Sequence, residues 1–144
     1  MPIVDVMPMR LVQVAPDDSV HAAAARMAEE DVGSVAVCEG SRLVGILTER
    51  DVLRLVARGA DPERTRAAEL MTTELVTVSP DDDVVSAARL MGERRIRHLP
   101  IVQGSNLLGM VGIRDVLAAL ADRLVRVGDP EARETVRGLL DRPR

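Results

Sequence analysis

The chain has 144 residues, 47% of them hydrophobic and 29% charged, with a formal net charge of −4. That length holds one compact domain or two small ones sharing a core. The acidic balance argues against nucleic-acid binding, and no apolar run approaches the roughly 20 residues needed to cross a bilayer.

No basic segment followed by an apolar core opens the chain, so no signal peptide is expected and the expected location is cytoplasmic. Phe, Tyr and Trp are absent, and all 19 cationic residues are Arg. Aliphatic side chains and seven Met residues must therefore build the core. A bound base would find no aromatic ring of this chain to stack on. The single cysteine, Cys38, excludes an intrachain disulfide and a multi-Cys metal site. It closes the apolar run from Ser34 and reads as a buried strand thiol.

In chain order, Leu11 to Val14 alternates and stops at Pro16, which predicts a short entry strand. Asp17-Asp18-Ser19 supplies a helix start with negative charge at the positive end of the dipole. Val20, Ala23, Ala24 and Met27 then recur at helical spacing. Val35 to Cys38 and Leu43 to Leu47 are apolar runs around the turn Glu39-Gly40-Ser41-Arg42, which predicts a hairpin. A second helix is predicted from Arg50 to about Arg58, ending near Gly59.

The same phrases return 64 positions later, pairing Met7 with Met71, Gly45 with Gly109 and Asp51 with Asp115. Roughly two-fifths of positions from Met7 to Ala57 are identical to their partners, with no gap. The order is thus β-α-β-β-α, twice. The expected fold class is α/β (α+β): two repeats packed sheet to sheet with pseudo-two-fold symmetry, plus a C-terminal helix. The expected boundaries are 1–59 for repeat one, 60–69 for a polar linker, 70–122 for repeat two and 123–144 for a helical extension. Val127-Gly128-Asp129-Pro130 reads as a stop and a fresh start. The helix from Glu131 to Leu140 would dock on the body or on a second subunit through Val136, Leu139 and Leu140.

These phrases together resemble the CBS domain, the cystathionine-β-synthase type, in a tandem pair or Bateman module. The resemblance is carried by Val-Thr-Val-Ser-Pro-Asp-Asp at 76–82, Ala88-Arg89-Leu90-Met91, Arg97-His98-Leu99-Pro100-Ile101-Val102 and Gly45 to Asp51. It covers about Asp5 to Ala121, and the last helix lies outside it. It implies a stand-alone regulatory module, not an enzyme. Such a module would bind an adenosine-containing ligand (AMP, ADP, ATP or S-adenosylmethionine) between the repeats, would need no other cofactor, and would act as a homodimer or on an effector protein.

Carried over residue by residue, the resemblance implies two ligand sites. The favoured one uses Thr48 and Asp51 with Thr77, Ser79, Pro80, Ile96, Arg97 and His98. The other uses Arg114 and Asp115 with Ala15, Pro16, Gly33, Ser34 and Val35. It departs from the family pattern where Gly112 replaces Thr and where Gly33-Ser34-Val35-Ala36 replaces Arg-His-Leu-Pro.

The residues support that division by themselves. A carboxylate can accept both ribose hydroxyls, a Thr hydroxyl adds a contact, and Arg97 offers a fork suited to phosphate. Each residue also has a plainer reading. Thr48 and Asp51 at i and i+3 make a capping box whether or not they bind anything. Asp115 reads equally as a helix-start charge, His98 as a structural histidine, and His21 as solvent-facing. Asp81-Asp82-Asp83 reads as helix caps, not a metal cluster. No nucleophile with a base partner and no phosphate loop is present, which argues against catalysis. The competing reading is an interaction dimer whose nucleotide sites are vestigial.

Overall fold

The structure is a computed structural model, and it describes residues 1–8, 11–128 and 130–140. Asp129, part of the expected helix stop, lies outside the described residues, as do 141–144 and the side chains of Val127 and Leu140.

A single 3-10 turn, Ile3–Val6, precedes the elements of repeat one: β1 Gln13–Val14, α1 Val20–Glu30, β2 Ser34–Glu39, β3 Arg42–Thr48 and α2 Glu49–Ala57. The short α3, Ala67–Leu70, follows. Repeat two then supplies α4 Val84–Arg94, β4 His98–Gln103, β5 Asn106–Gly112 and α5 Ile113–Val127, and α6 Pro130–Leu140 ends the chain. The fold is mixed α/β, with strand order β1-β2-β3 in repeat one and β4 beside β5 in repeat two. β1 runs parallel to β2, β2 and β3 form the expected antiparallel hairpin, and β5 joins β3 through the pair Arg42–Asn106.

The chain divides into two compact units. The repeat-one unit comprises Arg10–Val76 with Gly104–Leu107, and the repeat-two unit comprises Met1–Met9, Thr77–Gln103 and Leu108–Arg144. Each unit contains a lead-in that precedes the other repeat in sequence. In the repeat-two unit, Ile3 N donates to Asp82 O at 2.7 Å and Val4 N to Pro80 O at 3.2 Å. In the repeat-one unit, Thr72 N donates to Ile46 O at 2.9 Å and Ala67 N to Asp18 O at 2.7 Å.

Both lead-ins end in the same lock. Gly45 in β3 lies against the side chain of Met71, and Gly109 in β5 against that of Met7, where a Cβ would collide with the sulfur. Here glycine is needed for close approach. The repeat-one core is wholly aliphatic: Val12, Val14, Val20, Ala23, Met27, Val35, Val37, Leu47, Leu55 and Ala67.

Two sequence expectations need correction. α3, Ala67–Leu70, straddles the expected boundary between the linker and repeat two, and four residues are too few to show a hydrophobic period. The entry strand of repeat two is reduced to a lone bridge, Val78 to Ile101. In repeat one, Ala36 N donates to Val12 O at 3.2 Å and extends the parallel pair. Its counterpart is Pro100, which has no N–H, so that rung cannot form. The C-terminal helix docks on its own body, against α4 and α5, and buries Ala132 and Thr135.

Candidate functional site

β3 runs directly into α2 at Thr48, whose φ of −112° and ψ of 161° keep it extended while the next residue turns helical. Thr48 Oγ1 accepts from Asp51 N at 3.2 Å and donates to Asp51 Oδ2 at 2.9 Å. The same Oδ2 accepts from Thr48 N at 2.9 Å, completing a capping box on half-buried residues. Glu49 N donates to Gly33 O at 3.0 Å, and Ser34 pairs with Thr48 in the hairpin. The repeat-one unit thus gathers a carboxylate, a hydroxyl and a helix N-terminus beside Gly33 and Ser34. A carboxylate held in place with an acceptor oxygen directed from a helix end suits a ligand rich in hydroxyl donors.

The equivalent junction in the repeat-two unit keeps half of this arrangement. Asp115 Oδ2 accepts from Gly112 N at 2.8 Å, but Gly112 has no hydroxyl to return the bond. Ile113 N donates to Arg97 O at 2.8 Å, which brings Arg97 and His98 beside Gly112 and Asp115. Arg97 and Arg114 are exposed, while His98, Ile96 and Asp115 are half-buried.

The remaining candidates occupy the two entry turns. Ala15 N donates to Asp18 Oδ2 at 2.8 Å, and Ser79 N donates to Asp82 Oδ2 at 2.9 Å. Pro16 and Pro80 each present a carbonyl to a lead-in, through Ala68 N and Val4 N. Thr77 is exposed, Ser34 is 6% exposed, and Val35 is fully buried in β2. Asp18 and Asp82 make these turns, each one residue ahead of the helix cap. Their signal was the repeated Pro-Asp-Asp. The caps themselves are Ser19 on α1, through Ala22 N, and Asp83 on α4, through Val85 N.

Two titrating groups are displaced. Burial pushes the Cys38 thiol up, consistent with an inert strand cysteine. Desolvation raises Asp83, yet the N-terminal ammonium and the amides of Val85 and Ser86 outweigh it and hold the carboxyl below its ordinary value. Among the described residues no three His, Cys, Asp or Glu side chains gather as a metal cluster, and no helix is long and apolar enough to cross a membrane.

The family model described as CBS domain matches residues 3–58 and again 67–122. The CBS domain-containing protein YhcV of Bacillus subtilis is 39% identical over 113 residues, which are 78% of this chain and 80% of that one. The mitochondrial CBS domain-containing protein CBSX3 of Arabidopsis thaliana is 39% identical over 110 residues, 72% of this chain but 53% of the plant protein. Among solved structures, a CBS domain protein from Pyrobaculum aerophilum complexed with AMP superimposes with a TM-score of 0.77. It shares 26% sequence identity over 85% of this chain and 99% of that one.

Proposed function

The chain belongs to the CBS-domain family, carrying the domain twice, and from that premise we propose a regulatory module that senses an adenosine-containing ligand. The ligand is AMP, ADP, ATP or S-adenosylmethionine, and occupancy is passed to an effector protein or through a homodimer. The observation that carries this reading is the Thr48–Asp51 junction, where a half-buried carboxylate is oriented by both the amide and the hydroxyl of Thr48. In the proposed complex Asp51 accepts the ribose hydroxyls and Thr48 adds a contact, each a charge-assisted or polar bond at a helix N-terminus. The family resemblance adds Thr77, Ser79, Pro80, Ile96, Arg97 and His98 to the ligand's surroundings, with Arg97 suited to phosphate. The AMP named for the Pyrobaculum protein supports the ligand class. Signalling requires the ligand to favour one of two arrangements by its differential affinity.

Calorimetry against the four ligands tests this. Asp51→Ala should weaken binding at least tenfold, and Asp115→Ala should change it less than about threefold. Equal loss from both would overturn the assignment of the ligand to the Thr48 junction. A second reading, an interaction dimer with vestigial sites, is favoured by Gly112, which strips the second junction of its hydroxyl. It stands if no adenosine ligand raises the melting temperature of the wild-type chain, since a bound ligand must do so by mass action.

A further inference from the structure

The seven methionines of the chain include two pairs set 64 positions apart, and the two pairs are housed differently. Met27 and Met91 lie in α1 and α4 at 5% and 0% exposure. Met7 and Met71 are half-buried, and each is the cap residue at the end of a short helical turn. Met7 N donates to Val4 O at 3.3 Å and Met71 N to Ala67 O at 2.8 Å. Each side chain then fills the slot over its glycine. A Cβ added at Gly45 would stand 2.7 Å from Met71 Cγ, and one added at Gly109 would stand 2.7 Å from Met7 Cγ. An unbranched side chain suits so narrow a slot, and Met71 also packs against the repeat-one core. Packing accounts for the shape of these residues. It does not account for a thioether in a half-buried seat in both repeats.

A thioether open to solvent on one side is subject to two-electron oxidation to the sulfoxide. With hydrogen peroxide, the sulfur lone pair takes one peroxide oxygen as the O–O bond breaks. That oxygen's proton passes to the departing hydroxide, which leaves as water. The product cannot keep its seat. A slot with no room for a methyl beside the sulfur has none for an added oxygen. The sulfoxide oxygen is a strong acceptor, yet the amides beside the seats are already engaged. Ile46 N donates to Thr72 O at 3.1 Å and Thr72 N to Ile46 O at 2.9 Å, while the amides of Met7 and Met71 close their own turns. The oxidised side chain must turn out to water and leave the slot empty.

We propose that Met7 and Met71 form a paired, reversible oxidation site for peroxide-class oxidants. The sulfoxide unseats the lead-in of each unit, while Met27 and Met91 stay reduced. Loss of the seats loosens the turn that carries Ile3 and the helix that carries Ala67, both fully buried. Oxidation thus relaxes each unit, and methionine sulfoxide reductases tighten it again. This goes beyond the proposed function and does not depend on what the Thr48 junction binds.

The test treats the whole chain with hydrogen peroxide under native conditions and follows each methionine by peptide fragmentation mass spectrometry. Met7 and Met71 should oxidise about tenfold faster than Met27 and Met91. Their oxidation should lower the melting temperature by about 5–10 °C. Methionine sulfoxide reductases A and B together should restore it to within about 1 °C. Met7→Leu combined with Met71→Leu keeps the other five methionines and Cys38, and peroxide should shift its melting temperature by less than about 2 °C. Oxidation of Met7 and Met71 no faster than that of Met27 and Met91 would overturn the proposal. So would an unchanged melting temperature once both are oxidised, no recovery with the reductases, or an equal loss in the double Leu variant. The first three outcomes are read on the wild-type chain and hold even where the double variant folds poorly.

Discussion

Replacing Gly112 by Thr should stabilise the protein, and the structure sets the size of the gain. Gly112 has φ −97° and ψ 163°, close to Thr48 at −112° and 161°, so a β-branched residue fits without backbone strain. A Cβ there would meet Asp115 Oδ2 at 3.4 Å, His98 Cδ2 at 3.7 Å and the Arg97 carbonyl oxygen at 3.9 Å, all ordinary van der Waals contacts. The new hydroxyl would accept from Asp115 N and donate to Asp115 Oδ2, as Thr48 does with Asp51. Restricting the unfolded chain contributes about 0.4–1 kcal/mol. Replacing a glycine cap by threonine adds only a few tenths of a kcal/mol. The total is about 1 kcal/mol, or a rise of about 2–4 °C in melting temperature for a chain of this size. Thr48→Gly should lower it by a similar amount. Scanning calorimetry of both variants without ligand is the assay. A lower melting temperature for Gly112→Thr, or no change for Thr48→Gly, would refute the equivalence of the two junctions.

Gly45→Ala and Gly109→Ala should each cost about 1–3 kcal/mol in chemical denaturation, because the new methyl forces Met71 or Met7 out of its seat. Pairing Gly45→Ala with Met71→Ala should cost less than the sum of the single changes, since the two share one contact. Asp83 sets a pH response. Its folded carboxyl titrates below its unfolded value, so the stability it contributes is present above pH of about 4 and is lost as pH falls through the depressed folded value. Asp83→Asn should therefore show a shallower loss of melting temperature over that acid range than the wild-type chain.

The features legible from sequence were those with a local cause. Thr48, Ser19 and Asp83 cap helices through bonds to residues two or three positions away. The hairpin turns are marked by Gly40 and Gly104, whose φ of +61° and +65° other residues rarely adopt. α3 and the lost rung at Pro100 were not legible, since one is four residues long and the other depends on what lies opposite. The Met–Gly locks and the destination of α6 likewise depend on contacts through space. At the candidate site, the Thr48–Asp51 box follows from spacing alone. The residues assigned to complete it, Thr77, Ser79, Pro80 and 96–98, carry no such local signal and rest on the family resemblance.

The exchanged lead-ins also govern the order in which this chain can mature. Ile3 bonds to Asp82 and Met7 seats on Gly109, so each contact of this lead-in joins residues far apart along the chain. Local helices and the β2–β3 hairpin can form early, but closing either lock must first overcome the entropy of a long loop. Closing the two methionine seats is therefore expected to follow the local elements, and changes at Gly45, Met71, Met7 or Gly109 should slow folding as well as lower stability.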